Sequence, residues 1–158
     1  MAISRKKGAK KKKIVVAVSG GFDPLHAGHI RMFEHARSLG DELVVILNND
    51  NWLKKKKGYA FMSEKERKEV LGALRPVDRV VLTRHHENPE DMSVCAELRV
   101  LRPNIFANGG DRHQGNVPEV LVCREIGCKM VDNVGLGGKI QSSSWLIEKF
   151  KKLFNSRD

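Results

Sequence analysis

Five short runs of β-forming residues alternate with amphipathic stretches along the chain: 14–19 (IVVAVS), 42–47 (ELVVIL), 78–83 (DRVVLT), 103–108 (PNIFAN) and 128–134 (CKMVDNV). The first two are almost unbroken Val, Ile and Leu, the pattern of strands covered on both faces. Between the runs, helical spacing predicts a helix from His29 to Leu39 that buries Ile30, Phe33 and Ala36, with Gly40 placed for a left-handed cap. A second helix is predicted from Ser63, where Glu66 completes a capping box, and it should bury Val70, Leu71 and Leu74. Asn88, followed by Pro89, Glu90 and Asp91, reads as another helix start with acids at the positive end of the dipole. A fourth helix should run from Pro118 to Ile126 and stop at Gly127. The fifth should begin within Ser142–Ser144 and carry Leu146, Phe150 and Leu153.

Strict alternation of strands and helices, joined mostly by short loops, implies right-handed crossovers and a five-stranded parallel sheet between two helical layers. In such α/β sheets ligands gather at the carboxyl edge, where the strand order reverses. Asp23, His26 and His29 after the first strand, Asn48, Asn49 and Asp50 after the second, 108–111 after the fourth and 135–144 after the fifth would all meet there.

Composition and charge narrow the reading. A chain of 158 residues, 41% hydrophobic, suits one domain with a single core. The net charge of +10 invites a nucleic-acid partner, but residues 1–13 alone hold seven Lys or Arg and no acid; the remaining 22 bases face 19 acids, a net of +3. The expected organisation is a disordered basic tail over 1–13 and one domain over 14–158. Nucleic acid is not the expected partner. No run approaches the roughly 18 apolar residues of a membrane span, so a cytoplasmic protein is expected. Cys95, Cys123 and Cys128 form neither a CxxC pair nor a zinc-finger spacing and read as buried reduced thiols.

The candidate chemistry concentrates in SGGFDPLHAGH, residues 19–29. Gly20 and Gly21 allow a tight turn after the first strand, and Gly28 removes a side chain between two histidines so that an anion can approach the backbone. Free N–H groups and the helix dipole favour phosphate at such a junction. The stretch is neither a Walker A loop nor GxGxxG. Two imidazoles beside a phosphate can donate hydrogen bonds to oxygens that gain charge in a five-coordinate transition state.

GGFDPLHAGH resembles the signature of the cytidylyltransferase-like nucleotidyltransferases, whose motif is HxGH. The similarity continues through MSEKERKEVLGALRPVDRVV, NIFANGGD and the Ser142–Ser144 turn. Among members, ALRPVDRVV and NGGD are similar to heptose-phosphate adenylyltransferase domains, with glycerol-3-phosphate cytidylyltransferase next. The resemblance implies a Rossmann-like three-layer fold and transfer of a nucleoside monophosphate from ATP, or CTP, to a phosphorylated small molecule such as a sugar phosphate, with pyrophosphate released. It implies Mg2+ carried with the triphosphate, and a homodimer.

The resemblance also distributes roles along this chain. His26 and His29 would stabilise the transition state; Gly20, Gly21, Phe22, Asp23, Gly28 and Asn48 would form the nucleotide loop and its surroundings. A lysine in the basic loop 54–57 would neutralise phosphates, with Lys55 and Lys57 the chosen positions against a plain solvated loop. Arg67 would reach the triphosphate or else pair with a helix Glu. Gly109, Gly110 and Asp111 would recognise base and ribose, and Ser142, Ser143 and Ser144 would hold the outer phosphates or form an ordinary N-cap. Lys139 and Gln141 stand where the family pattern departs and have no assigned role. His85 and His86 are expected to be solvent-facing loop residues. A non-catalytic nucleotide- or RNA-binding protein of the same fold is the alternative class.

Overall fold

The computed structural model describes residues 11–109, 118–137 and 139–155. The strands are β1 (Val15–Gly20), β2 (Glu42–Leu47), β3 (Arg79–Leu82), β4 (Ile105–Gly109) and β5 (Lys129–Val134). The helices are α1 (Ala27–Ser38), α2 (Asp50–Lys57), α3 (Glu64–Gly72), α4 (Cys95–Leu101), α5 (Glu119–Ile126) and α6 (Ser143–Asn155). The sheet is parallel, in the order β3-β2-β1-β4-β5. β1 pairs Val15 with Glu42 through Gly20 with Leu47 on one side, and Val16 with Ile105 on the other.

The period-two alternation of strand side chains divides the core between the two faces of the sheet. Val16, Val18, Leu43, Val45 and Leu47 pack with Phe33 and Ala36 of α1 and Leu71 of α3. Ala17, Ile46 and Phe106 face the other way, against Cys95 and Leu98 of α4 and Val122 and Cys123 of α5. The result is the three-layer, Rossmann-like α/β/α arrangement expected from the alternation. The cysteines are free and buried; burial raises the thiols of Cys95 and Cys123 and pushes Cys128 up to about 12, so all three are protonated at neutral pH.

Four local expectations are corrected. Residues 54–57 are not a loop but the last turn of α2, capped by Asn49 Oδ1, which accepts from Trp52 N–H, and closed by Gly58 at φ 85°. The helix expected at Asn88 begins instead at Cys95. The intervening segment is held in loop form by Trp52 of α2, whose Nε1 donates to the Met92 carbonyl, and by its own Asp91, whose Oδ1 accepts from Ser93 N–H. Val70 is on the exposed side of α3, leaving Leu71 as its fully buried apolar residue. Gly40 is not a left-handed cap, since Leu39 is the C-cap residue and is itself right-handed. The capping box at Ser63 and Glu66 forms as expected. Among the described residues, no helix is long and apolar enough to cross a membrane.

Candidate active site

The chain leaves β1 toward β2 on one side and returns to β4 on the other, so a crevice opens between their carboxyl ends. That edge holds a cleft of about 390 Å3. Its walls include Gly20, Gly21, Phe22, His26, Gly28 and His29 from the first loop and the start of α1, Gly109 from β4, and Ser142, Ser143 and Ser144 at the start of α6. Segments more than a hundred residues apart in sequence thus converge. Gly110 and Asp111 lie outside the described residues.

His26 is the N-cap residue of α1, and His29 sits one turn in, so their spacing brings both rings to the same helix end. The rings stack with centroids 3.6 Å apart, and Phe22 meets His29 edge-on at 5.0 Å. Gly28 leaves room for this pairing: a Cβ there would lie 3.0 Å from Cε1 and Nδ1 of His26, so the ring would have to shift. His29 Nδ1 accepts the His26 backbone N–H at 3.3 Å, which places the proton of a neutral His29 on Nε2. Among the described residues, His26 Nδ1 is buried without a hydrogen-bond partner.

Burial, more than charge, sets the protonation state. Burial, then the neighbouring His26 and Lys57, depress His29 to about 3, and burial followed by Lys57 lowers His26. Both rings are therefore neutral at pH 7 and can stack. Burial chiefly lowers the ammonium of Lys57, against the opposing pull of Asp23. Its Nζ donates to the Asp23 carbonyl at 3.0 Å and it lines the cleft.

Several expected residues stand elsewhere. Lys55 does not line the cleft; its Nζ donates to Asn88 Oδ1 at 2.6 Å because the turn of α2 points it to the opposite side from Lys57. Arg67 is also outside it. The guanidinium is buried and spends its donors on the carbonyls of Met62, Gly21 and Asn48 and on the carboxylate of Asp50, at 2.6–3.0 Å, so it braces the loop after β1 rather than reaching a triphosphate. Asp23 and Asn48 are buried behind the wall. Asp23 accepts the backbone N–H groups of Phe61 and Met62, both at 2.7 Å, and so shapes the loop as a strut. His85 is not solvent-facing: its ring bridges Thr83 Oγ1 and the Ser93 carbonyl at 2.9 and 3.1 Å. His86 is exposed.

The sequence reading missed Arg31 and Trp52, held Lys56 within the run 54–57 without choosing it, and left Lys139 and Gln141 without a role; all five line the cleft. Arg31 could have been found from its place just after His29 in the first turns of α1. The described lining holds four cationic side chains, Arg31, Lys56, Lys57 and Lys139, and no carboxylate. Lys139 Nζ rests 5.0 Å from the ring centre of Trp145, a weak hold for a cation beside a half-exposed ring. Such a lining attracts a polyanion. It does not build a metal cage, and among the described residues no group of three metal-binding side chains occurs.

Comparison with known proteins agrees with this geometry. The family model described as cytidylyltransferase-like matches residues 17–153. The FAD synthase of Thermococcus sibiricus is 43% identical over 106 residues, covering 66% of this chain and 68% of that one. The bifunctional protein HldE of Pelobacter propionicus is 38% identical over 116 residues, covering 72% of this chain but only 22% of that protein. In the crystal structure of a lipopolysaccharide core biosynthesis protein from Thermoplasma volcanium, 97% of the chain superimposes on 77% of this one, with a TM-score of 0.63 and 27% identity. This chain is a member of the cytidylyltransferase-like nucleotidyltransferases.

Proposed function

We propose that this protein transfers a nucleoside monophosphate from ATP, with CTP as the alternative donor, to a phosphorylated small molecule of the sugar-phosphate class, releasing pyrophosphate. The observation that carries this reading is the stacked His26–His29 pair in a cleft whose described lining is cationic and free of carboxylates. A phosphate oxygen of the acceptor attacks the α-phosphorus, the new P–O bond forms, and the bond to the β-phosphate oxygen breaks. The Nε2–H of His29 donates to oxygens that gain charge as this happens, where a preorganised donor accelerates the step. Lys57 offsets phosphate charge, and at the start of α6 the hydroxyls of Ser142 and Ser144 face the outer phosphates together with the helix N–H groups, while Ser143 Oγ already donates to the Pro24 carbonyl at 2.8 Å and pins the turn to the HxGH loop. Mg2+ enters with the triphosphate as part of the substrate, held by phosphate and water as is usual for that ion.

A second acceptor class follows from the relatives. Their names include FAD synthase as well as HldE, and a flavin mononucleotide is also a phosphate monoester, so it belongs in the same test. Pyrophosphate release is measured with ATP and CTP, at millimolar magnesium, against sugar 1-phosphates, glycerol 3-phosphate and flavin mononucleotide. Release with one donor and acceptor pair, abolished in His29→Ala, is the expected result. Silence across the panel, together with salt-dependent RNA binding that needs residues 1–13, would replace this reading with a binding protein. Self-association is the remaining expectation. α6 leaves Trp145, Phe150 and Phe154 exposed, and sedimentation at several concentrations tests it.

A further inference from the structure

Helix α1 touches the far wall of the cleft at two points beyond the paired histidines. Met32 lies between the end of β4 and the turn after β5: a Cβ at Gly109 would come 2.5 Å from its Sδ, and one at Gly135 would come 3.3 Å from its Cα. One turn further on, His35 Nδ1 accepts the backbone N–H of Gly135 at 3.0 Å, across a hundred residues of sequence. Gly135 has φ 109°, and Asn133 near the end of β5 and Leu136 just after Gly135 also have positive φ, so the chain leaves the strand through an unusual backbone path. The segment then supplies Lys139, Gln141 and the three serines to the cleft. His29, Met32 and His35 recur every three residues on one rigid element, so α1 fixes the distance from the reacting imidazole to this opposite wall.

We propose that His35 is a positioning residue: by accepting the Gly135 N–H it holds the turn after β5 in register with His29, and thereby sets the affinity of the cleft for a polyphosphate chain. This rests on the reading of the cleft as a polyphosphate site. The role requires an unprotonated Nδ1, because an imidazolium has no acceptor. Without the acceptor, the Gly135 N–H must find water or go unpaired, and the turn is left with only its packing against Met32.

The test uses the full chain and inorganic tripolyphosphate with magnesium, followed by calorimetry. In Asn the Oδ1 stands the same number of bonds from Cα as Nδ1 does in His, so His35→Asn should bind within about twofold of the natural protein. His35→Leu keeps bulk but offers no acceptor and should bind roughly five- to tenfold more weakly. His35→Gln, whose carbonyl lies one bond farther out, should resemble Leu and replaces it where the Leu variant does not fold. Amide exchange at Gly135, followed by NMR, should accelerate in the Leu and Gln variants and not in Asn. If all variants bind like the natural protein, or Asn weakens as much as Leu, the positioning role is wrong while the polyphosphate site stands. If the natural protein itself fails to bind tripolyphosphate, both fall together.

Discussion

Nη1 of Arg67 donates to the carbonyl of Gly21 at 2.8 Å and to that of Asn48 at 2.7 Å, tying α3 to the ends of both central strands. The same guanidinium pairs with Asp50 at the start of α2. An arginine beside a nucleotide loop would ordinarily be assigned to phosphate. Here four of its five N–H donors already have protein acceptors, and the side chain is 1% exposed. Its contribution to the site is to fix the backbone from which Gly20–Phe22 approach a ligand.

Arg67→Met should therefore destabilise the fold itself. Removing the buried guanidinium leaves three carbonyls and the part-exposed Asp50 without their donor, a loss of about 2–4 kcal/mol. Urea unfolding checks this: a lower midpoint with unchanged slope is expected. An arginine that merely contacted substrate would leave the midpoint where it was.

His29 gives a prediction with a definite sign. Its folded value is about 3, whereas the unfolded side chain titrates near the ordinary 6.5. As pH falls through about 6.5 the unfolded chain takes up a proton that the folded chain refuses until near 3. The contribution is thus complete above about pH 6.5 and is lost progressively as pH drops toward 3, on the order of a few kcal/mol in all. Unfolding free energies of the natural protein at pH 7, 6, 5 and 4 should fall more steeply than those of His29→Gln, and equal slopes would contradict the assigned environment.

The lysines of α2 separate by helical geometry. Lys57 faces the cleft from a backbone anchor at Asp23, while Lys55 is engaged with Asn88 on another side. Lys57→Met should lower kcat/KM by about a hundredfold or more, as removal of a charge-stabilising donor does, while Lys55→Met should stay within about twofold. Steady-state pyrophosphate release on the two variants gives the comparison directly.

What the sequence disclosed follows from which signals are local. β2 was bounded correctly at Glu42 and Leu47 because a doubly covered strand advertises itself as an apolar run, and the Ser63–Glu66 box marked the start of α3 because a cap is a local hydrogen-bond pattern. α2 escaped because four consecutive lysines mask its periodicity and only Trp52 and Leu53 are buried, although Asn49 and Gly58 supply both of its end signals. The convergence of the HxGH loop with Ser142–Ser144 was legible from strand alternation and the edge rule. The burial of Arg67 was not, since nothing in SEKER says that carbonyls from two strands converge on its guanidinium. The side of α2 that each lysine faces depends in the same way on how that helix docks.

Gly40 joins the end of α1 to β2 at the amino edge of the sheet, away from the cleft, and its role is steric. A Cβ there would lie 2.7 Å from both the Ile14 carbonyl oxygen and Val16 Cγ2. That carbonyl cannot simply give way, because it accepts the N–H groups of Asp41 and Glu42, at 2.8 and 3.2 Å, where the chain enters β2. Gly40→Ala must then displace either the strand entry or Val16, which is fully buried at the centre of the sheet. A cost of about 1–3 kcal/mol is expected, as for other overpacked positions. Because the strain falls at the edge opposite the cleft, tripolyphosphate affinity should not change. A weakened affinity at retained stability would mean instead that α1 has shifted as a body and carried His29 with it, which calorimetry and urea unfolding on the same variant distinguish.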